Sequence, residues 1–411
     1  MMVEKRKAMK TQIIPLIFSC FNDVREKEYF MKKIDAHEKG IELMRKKGGS
    51  FGFYMKNISS AAALIIKQEA LSVGCDFAIP KDAIVEKTPQ VDGLLLCDNR
   101  TLERLISHLE IQGWFAIPEL LSELKRKIKK MKNQKFDLAG KLYNLSKDYL
   151  VMAVVNITPD SFYEGSRKNL DEALEWAESV KKFVDIFDVG GESTRPGANE
   201  VSEEEELARV LDVVKAFSDA GFKVSCDTRK WRVAEKCLDA GAVMINDVSG
   251  FRDENMIKVV ADSGASACIM HMKGEPASMQ ENPEYDDCLA EVYGFLEDRY
   301  EALLEAGVDA QKITVDPGIG FGKRLSHNAL LMNFVGSFAS IAPVLMGVSR
   351  KSYIGMITGE KDPTKRLPGT ISTLSLLYAK GARIFRVHDP VEAKQALEVA
   401  KAIVNWFDIE D

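Results

Sequence analysis

Eight short apolar runs between Leu150 and Asp389 each end in a polar or glycine-containing cluster, and a helix-like segment follows every one. In chain order the clusters are VVNITPDSF (154–162), FDVGGESTRPG (187–197), VSCDT (224–228), INDVSG (245–250), IMHMKG (269–274), VDPGIGFGK (315–323), MGVSRKS (346–352) and FRVHD (385–389). Uninterrupted repetition of strand, cluster and helix predicts an all-parallel (β/α)8 TIM barrel, which gathers the C-terminal ends of its strands at one mouth. Clusters far apart in sequence would then line a single pocket.

The alternation places strands near 150–156, 185–190, 223–227, 243–247, 266–271, 312–316, 343–348 and 383–388. Helices are expected near 170–183, 203–219, 229–240, 254–263, 284–306, 326–338, 365–380 and 390–407. The second helix is typical: Ser202 suits its cap, four glutamates load its positive end, and Gly221 follows its close. A doubly wound sheet is the competing architecture, but it would show a switch point rather than eight near-evenly spaced strands.

The chain of 411 residues exceeds one average domain. Residues 1–120 read as a small α/β domain: SSAAALIIKQEALSVG (59–74) is a helix with serines for a cap and Gly74 for a stop. CDFAIP and DGLLLC follow as strands, then a helix opening at Asn99 or Thr101. The basic stretch ELKRKIKKMKNQK (123–135) marks 121–147 as a helical linker, and the barrel occupies 148–411. Lys5, Arg6 and Lys7 ahead of Ile13–Cys20 loosely mimic a leader, but Pro15 and the short run favour a first strand behind a basic start.

A net charge of −6 argues against nonspecific nucleic-acid binding, and no apolar run is long enough for a membrane span. Seven irregularly spaced cysteines without a C-x-x-C pair fit neither a disulfide framework nor a zinc site, which points to buried, reduced thiols in a cytoplasmic protein.

Asp227, Asn246 and Asp316 stand at strand ends and offer two carboxylates and an amide to a planar amino-pyrimidinone edge. Singly, Asp227 also reads as a helix cap and Asn246 as a turn residue. Arg195, Lys351, Arg386 and His388 form an anion-binding set suited to a phosphate or pyrophosphate. Arg386 and His388 are two apart and share one strand face, although an isolated R-x-H is also met as a surface ion pair. Asn156 either orients a metal-bound phosphate or starts a turn. Lys323 reads as a loop surface residue and His271 as a packed strand-end histidine. Without H-x-x-H or clustered His and Cys, any metal would be Mg²⁺ arriving with phosphates.

NITPDSF, GGESTRPGA, DPGIGFGK, GVSRKS and RVHD, in this order and at these separations, resemble dihydropteroate synthase over about 148–411. The resemblance implies condensation of 6-hydroxymethyl-7,8-dihydropterin pyrophosphate with p-aminobenzoate, commonly by a homodimer. It assigns Asp227, Asn246, Asp316 and Lys351 to the pterin, and catalysis to Asp227, Lys351 and Asp316. It gives Asn156, Arg195, Arg386 and His388 to the pyrophosphate, with Mg²⁺ near Asn156. Thr194, Pro196, Phe321, Ser349 and Phe162 would border p-aminobenzoate. Ile319 departs from the aromatic common in that loop, and the N-terminal region resembles extensions found in longer members. The alternatives are a pterin-dependent methyltransferase, which has no use for the S-R-K and R-x-H anion set, and a noncatalytic pterin-binding protein.

Overall fold

A computed structural model describes residues 11–17, 24–44, 51–81, 83, 89–157, 167–192, 201–274 and 279–405. The chain divides into two compact units, Met1–Met131 and Lys132–Asp411.

The first unit carries a four-stranded antiparallel sheet of β1 (Gln12–Ile17), β2 (Phe51–Ser59), β3 (Asp76–Ala78) and β4 (Gln90–Cys97), in the order β1-β2-β4-β3. Its helices are α1 (Val24–Lys33), α2 (Glu38–Met44), α3 (Ser60–Val73), α4 (Asn99–Leu109) and α5 (Ile117–Lys132). Local chemistry sets their ends. Ser59 Oγ accepts the Ala62 N–H, and left-handed Gly74 closes α3. Asp98 and Thr101 form a reciprocal capping box at α4. The basic stretch expected to be a linker is largely helix α5, and it is not free. Ile117, Leu120, Leu121 and Leu124 join the core of this unit, and Lys127 is fully buried against Glu123 at 3.0 Å.

The rest of that stretch opens the second unit as a hairpin, β5 (Lys135–Leu138) and β6 (Lys141–Asn144). Eight parallel strands follow: β7 (Leu150–Asn156), β8 (Ile186–Gly190), β9 (Val224–Asp227), β10 (Met244–Asp247), β11 (Ser266–Met270), β12 (Ile313–Asp316), β13 (Leu345–Met346) and β14 (Ile384–Val387). Their order is β12-β11-β10-β9-β8-β7-β14-β13, and a parallel bridge between Val315 and Val344 joins the two ends into a barrel. The outer helices are α6 (Arg167–Val180), α7 (Glu203–Asp219), α8 (Trp231–Asp239), α9 (Glu254–Ser263), α10 (Cys288–Glu305), α11 (Leu325–Asn333), α12 (Val335–Phe338), α13 (Ser352–Thr358), α14 (Leu367–Ala379) and α15 (Pro390–Val404). β13 is shorter than the sequence predicts because Val344 reaches its neighbours only through isolated bonds, and Pro343 has no N–H to give.

Strand alternation sorts the interior into layers. Met152, Ile186, Met244, Leu345 and Ile384 form an apolar floor, over which the hairpin packs Phe136 and Leu138, with Leu145 just beyond it. Side chains of the other phase, such as Phe187, face outward, where Phe187 packs on Trp176, Phe217 and Phe222. Two or four residues above the floor, the same inward phase delivers polar side chains to the mouth.

Candidate active site

The ladder register sets the mouth. Asn156 pairs with Gly190, Gly190 with Asp227, and Asp227 with Asn246, so these residues form one row across four strands. Glycine suits position 190 in that row, since a Cβ there would stand a tight 3.3 Å from the Asp227 Cβ. One pleat lower, Asp188 is fully buried, and its Oδ2 accepts from Asn246 Nδ2 at 3.1 Å and Arg386 Nε at 2.6 Å. Arg386 Nη2 donates to Asp227 Oδ2 at 2.6 Å. Asp227 therefore caps no helix: α8 begins at Trp231, after Lys230. Arg386 is likewise no surface ion pair, being held between two carboxylates.

Asp316 and Lys351 adjoin this group. Gly347 marks the junction, since a Cβ there would lie 3.7 Å from Asp316 Oδ2, and 3.9 Å from both Lys351 Nζ and Arg386 Cδ. Asp316 Oδ1 accepts the Gly318 N–H at 2.7 Å, and Lys351 Nζ lies 4.5 Å from the centre of the Phe321 ring. Ser349 and His388, assigned to different subsites by resemblance, touch: Oγ is 3.1 Å from Nδ1. Arg350 Nε donates to Asp389 at 2.9 Å and ties the S-R-K turn to the R-x-H strand end.

Burial dominates the electrostatics. It pushes Asp227 up to about 7, with Arg386 opposing the rise and Asp188 adding to it. Burial also raises Asp316, against Lys351, and lowers Lys351 to about 8, against Asp316. Arg386 stands above its usual range because Asp188 and Asp227 outweigh its desolvation. The mouth thus holds cations and carboxylates side by side and largely buried, where charge interactions are strong.

Phe162, Thr194, Arg195 and Pro196 lie outside the described residues, as do Cys20 and the basic start. The six described cysteines are buried and no disulfide joins them. His271 is packed, 6% exposed. Lys323 corrects the sequence reading. It is 3% exposed rather than on the surface, because its ammonium is drawn onto His271. Asp188 was not singled out from sequence; an acid two residues below Gly190 in an otherwise apolar strand was the available signal. Among the described residues no cluster of three His, Cys, Asp or Glu could hold a metal ion, and no helix is long and apolar enough to cross a membrane.

A barrel whose mouth offers buried carboxylates, an amide and two cations to one planar ligand defines a pterin-binding enzyme, and the family model described as pterin binding enzyme matches residues 152–388. A dihydropteroate synthase of Neisseria meningitidis serogroup C is 42% identical over 260 residues, 62% of this chain and 92% of the relative. A bifunctional dihydropteroate synthase/dihydropteroate reductase of Helicobacter pylori is 34% identical over 382 residues, 91% of this chain and 95% of the relative. The solved dihydropteroate synthase of Xanthomonas albilineans with 4-aminobenzoic acid has a TM-score of 0.61 and 37% identity, covering 66% of this chain and 99% of that one. That of Burkholderia cenocepacia complexed with 7,8-dihydropteroate has a TM-score of 0.60 and 38% identity, covering 66% and 96%. The chain belongs to the pterin-binding enzymes and, within them, to the dihydropteroate synthase family.

Proposed function

We infer that this chain is a transferase of folate biosynthesis that condenses 6-hydroxymethyl-7,8-dihydropterin pyrophosphate with p-aminobenzoate to 7,8-dihydropteroate and pyrophosphate. The observation that carries the reading is the buried group Asp188, Arg386, Asp227 and Asn246 beside Asp316 and Lys351, in a barrel 42% identical to a named synthase. Asp227, Asn246, Asp316 and Lys351 hold the pterin edge. The bond between the pterin methylene and the pyrophosphate oxygen breaks with its electron pair leaving on pyrophosphate. The amine lone pair forms the new C–N bond, and the nitrogen releases one proton. Cationic Arg386 and the imidazole of His388 favour the departing charge, and Asp227 favours positive charge on the ring. Catalysis is positioning and electrostatics rather than strong general base chemistry.

Mg²⁺ fits as a companion of the pyrophosphate: Asn156, half-buried at the end of β7, offers one amide oxygen, and among the described residues no acidic cluster could hold a metal by itself. Bound there, the ion would neutralise phosphate charge. Arg195 joins this anion set, and Thr194, Pro196, Phe162, Phe321 and Ser349 border the amine. A homodimer is supported by apolar side chains exposed on α13, α14 and α15, among them Met356, Ile357, Leu376, Val399 and Ile403. Buried thiols with no disulfide among the described residues support a cytoplasmic setting. Against methyl transfer and noncatalytic binding stand Lys351, Arg386 and His388 together at the mouth. The test is product identification by mass after incubation with both substrates and Mg²⁺. Dihydropteroate supports the reading, and pterin binding without product contradicts it.

A second reading follows from the Helicobacter pylori relative, whose match runs through both units. The chain would also reduce dihydropteroate, hydride from a reduced nicotinamide or flavin adding to the pterin C=N carbon and a proton to its nitrogen. Tetrahydropteroate formed on adding such a donor supports it; unchanged dihydropteroate contradicts it.

A further inference from the structure

The loop from Asp316 to Lys323 is bonded to the end of β11 at both of its own ends. At the start, the His271 N–H donates to the Asp316 carbonyl at 3.0 Å. At the far end, the buried Lys323 ammonium reaches three acceptors: His271 Nδ1 at 2.9 Å, the Phe321 carbonyl at 3.0 Å and the His271 carbonyl at 3.3 Å. The His271 ring stands edge-on to Phe295, centroids 5.1 Å apart, a contact that favours this ring orientation. Burial, with Lys323 beside it, lowers His271 to about 2, which leaves the imidazole neutral and its Nδ1 lone pair available. Between these ends the backbone is shaped to β11: Gly318 and Gly322 press on the His271 and Lys273 carbonyls. Lys351 donates to the Ile319 carbonyl and lies over the Phe321 ring. Phe321 is therefore gripped twice, its carbonyl by Lys323 and its ring by Lys351.

We propose that Lys323 and His271 form an internal clasp that positions Phe321 for the arylamine substrate. Neither side chain bonds the Asp188, Asp227 and Arg386 group, and His271 meets Asp316 only through backbone, so both are positioning residues for the amine half of the reaction. The proposal rests on the synthase reading, which puts Phe321 beside p-aminobenzoate. Loss of the clasp leaves Asp227, Asn246 and Arg386 in place while the Phe321 ring wanders, and misplacement of about 1 Å can cost on the order of 100-fold.

The test uses the full chain with Lys323→Met, His271→Phe and the conservative His271→Gln, which keeps an acceptor. The KM for p-aminobenzoate is expected to rise about tenfold or more in the first two. Dihydropterin pyrophosphate affinity by calorimetry stays within about twofold of wild type, and His271→Gln lies close to wild type. An unchanged amine KM, or equal losses on both substrates, overturns the proposal. If Lys323→Met does not fold, the two His271 variants carry the same comparison. Wild-type turnover separately decides the synthase reading. Should that fail, hydrogen exchange still decides the clasp: the Gly318, Gly320 and Phe321 amides, all bonded within this region, must exchange faster in the clasp variants. Unaltered exchange overturns it.

Discussion

Arg386 is held by Asp188 through Nε and by Asp227 through Nη2, both at 2.6 Å, although Asp188 lies 198 residues away in sequence. The two carboxylates differ in exposure: the Asp188 side chain is fully buried, whereas that of Asp227 is 12% exposed. Asp188 therefore orients the guanidinium from below, and Asp227 remains able to meet a ligand.

Asp188→Asn keeps the shape but removes the lower anion. Losing a charge-assisted bond costs about 1.5–3 kcal/mol, so kcat/KM should fall roughly 10- to 150-fold. Steady-state kinetics on both substrates checks this, and an unchanged value would remove Asp188 from the positioning of Arg386.

Arg386→Ala removes the shared cation. The expected loss of transition-state stabilisation is about 2–3 kcal/mol, roughly 30- to 150-fold in kcat/KM. Stability should fall by about 3–5 kcal/mol in urea denaturation, because Asp188 is left buried with its charge uncompensated. A kinetic loss under about threefold would take Arg386 out of the pyrophosphate set.

The pH profile of kcat/KM should be bell-shaped. Asp227, raised to about 7, is protonated below that pH and cannot favour a ring cation; Lys351, lowered to about 8, loses its charge above it. The folded pKa of Asp227 exceeds its unfolded value, so the protonated carboxyl favours folding at low pH. That advantage fades as pH rises from the ordinary carboxylate range through about 7. Asp188→Asn removes the neighbouring charge that raises Asp227, and the acidic limb should move to lower pH.

Two glycines of one loop should respond differently to alanine. Gly318 has φ +69° and would set a Cβ 1.9 Å from the His271 carbonyl oxygen, whereas Gly320, at φ +84°, meets nothing nearer than Lys351 Cδ at 3.6 Å. Gly320→Ala should cost only the left-handed backbone, about 1–2 kcal/mol. Gly318→Ala adds a backbone collision and should be the more destabilising in denaturant titrations. Equal costs would contradict the packing of this loop on β11.

What the sequence revealed and what it hid follow from range. Strand phase put Arg386 and His388 on one face, and the apolar runs located β7 to β14 within a few residues, because both depend on near neighbours. Asp188 was missed because its partners, Asn246 and Arg386, are brought by other strands. Lys323 read as exposed because it closes a glycine-rich loop, while its burial is decided by His271, 52 residues earlier. The basic residues of α5 concealed the apolar stripe of Leu120, Leu121 and Leu124 that packs it into the first unit.

The central claim is that this barrel mouth condenses the two substrates, with Asp227 favouring the cationic ring. The most direct measurement is pyrophosphate and dihydropteroate formed by wild type and Asp227→Asn, with and without p-aminobenzoate, on samples matched for thermal unfolding. The account predicts equal amounts of both products from wild type only when the amine is present, and a loss on the order of 100- to 1,000-fold in the variant. Full activity in Asp227→Asn, or pyrophosphate released without dihydropteroate, would contradict it.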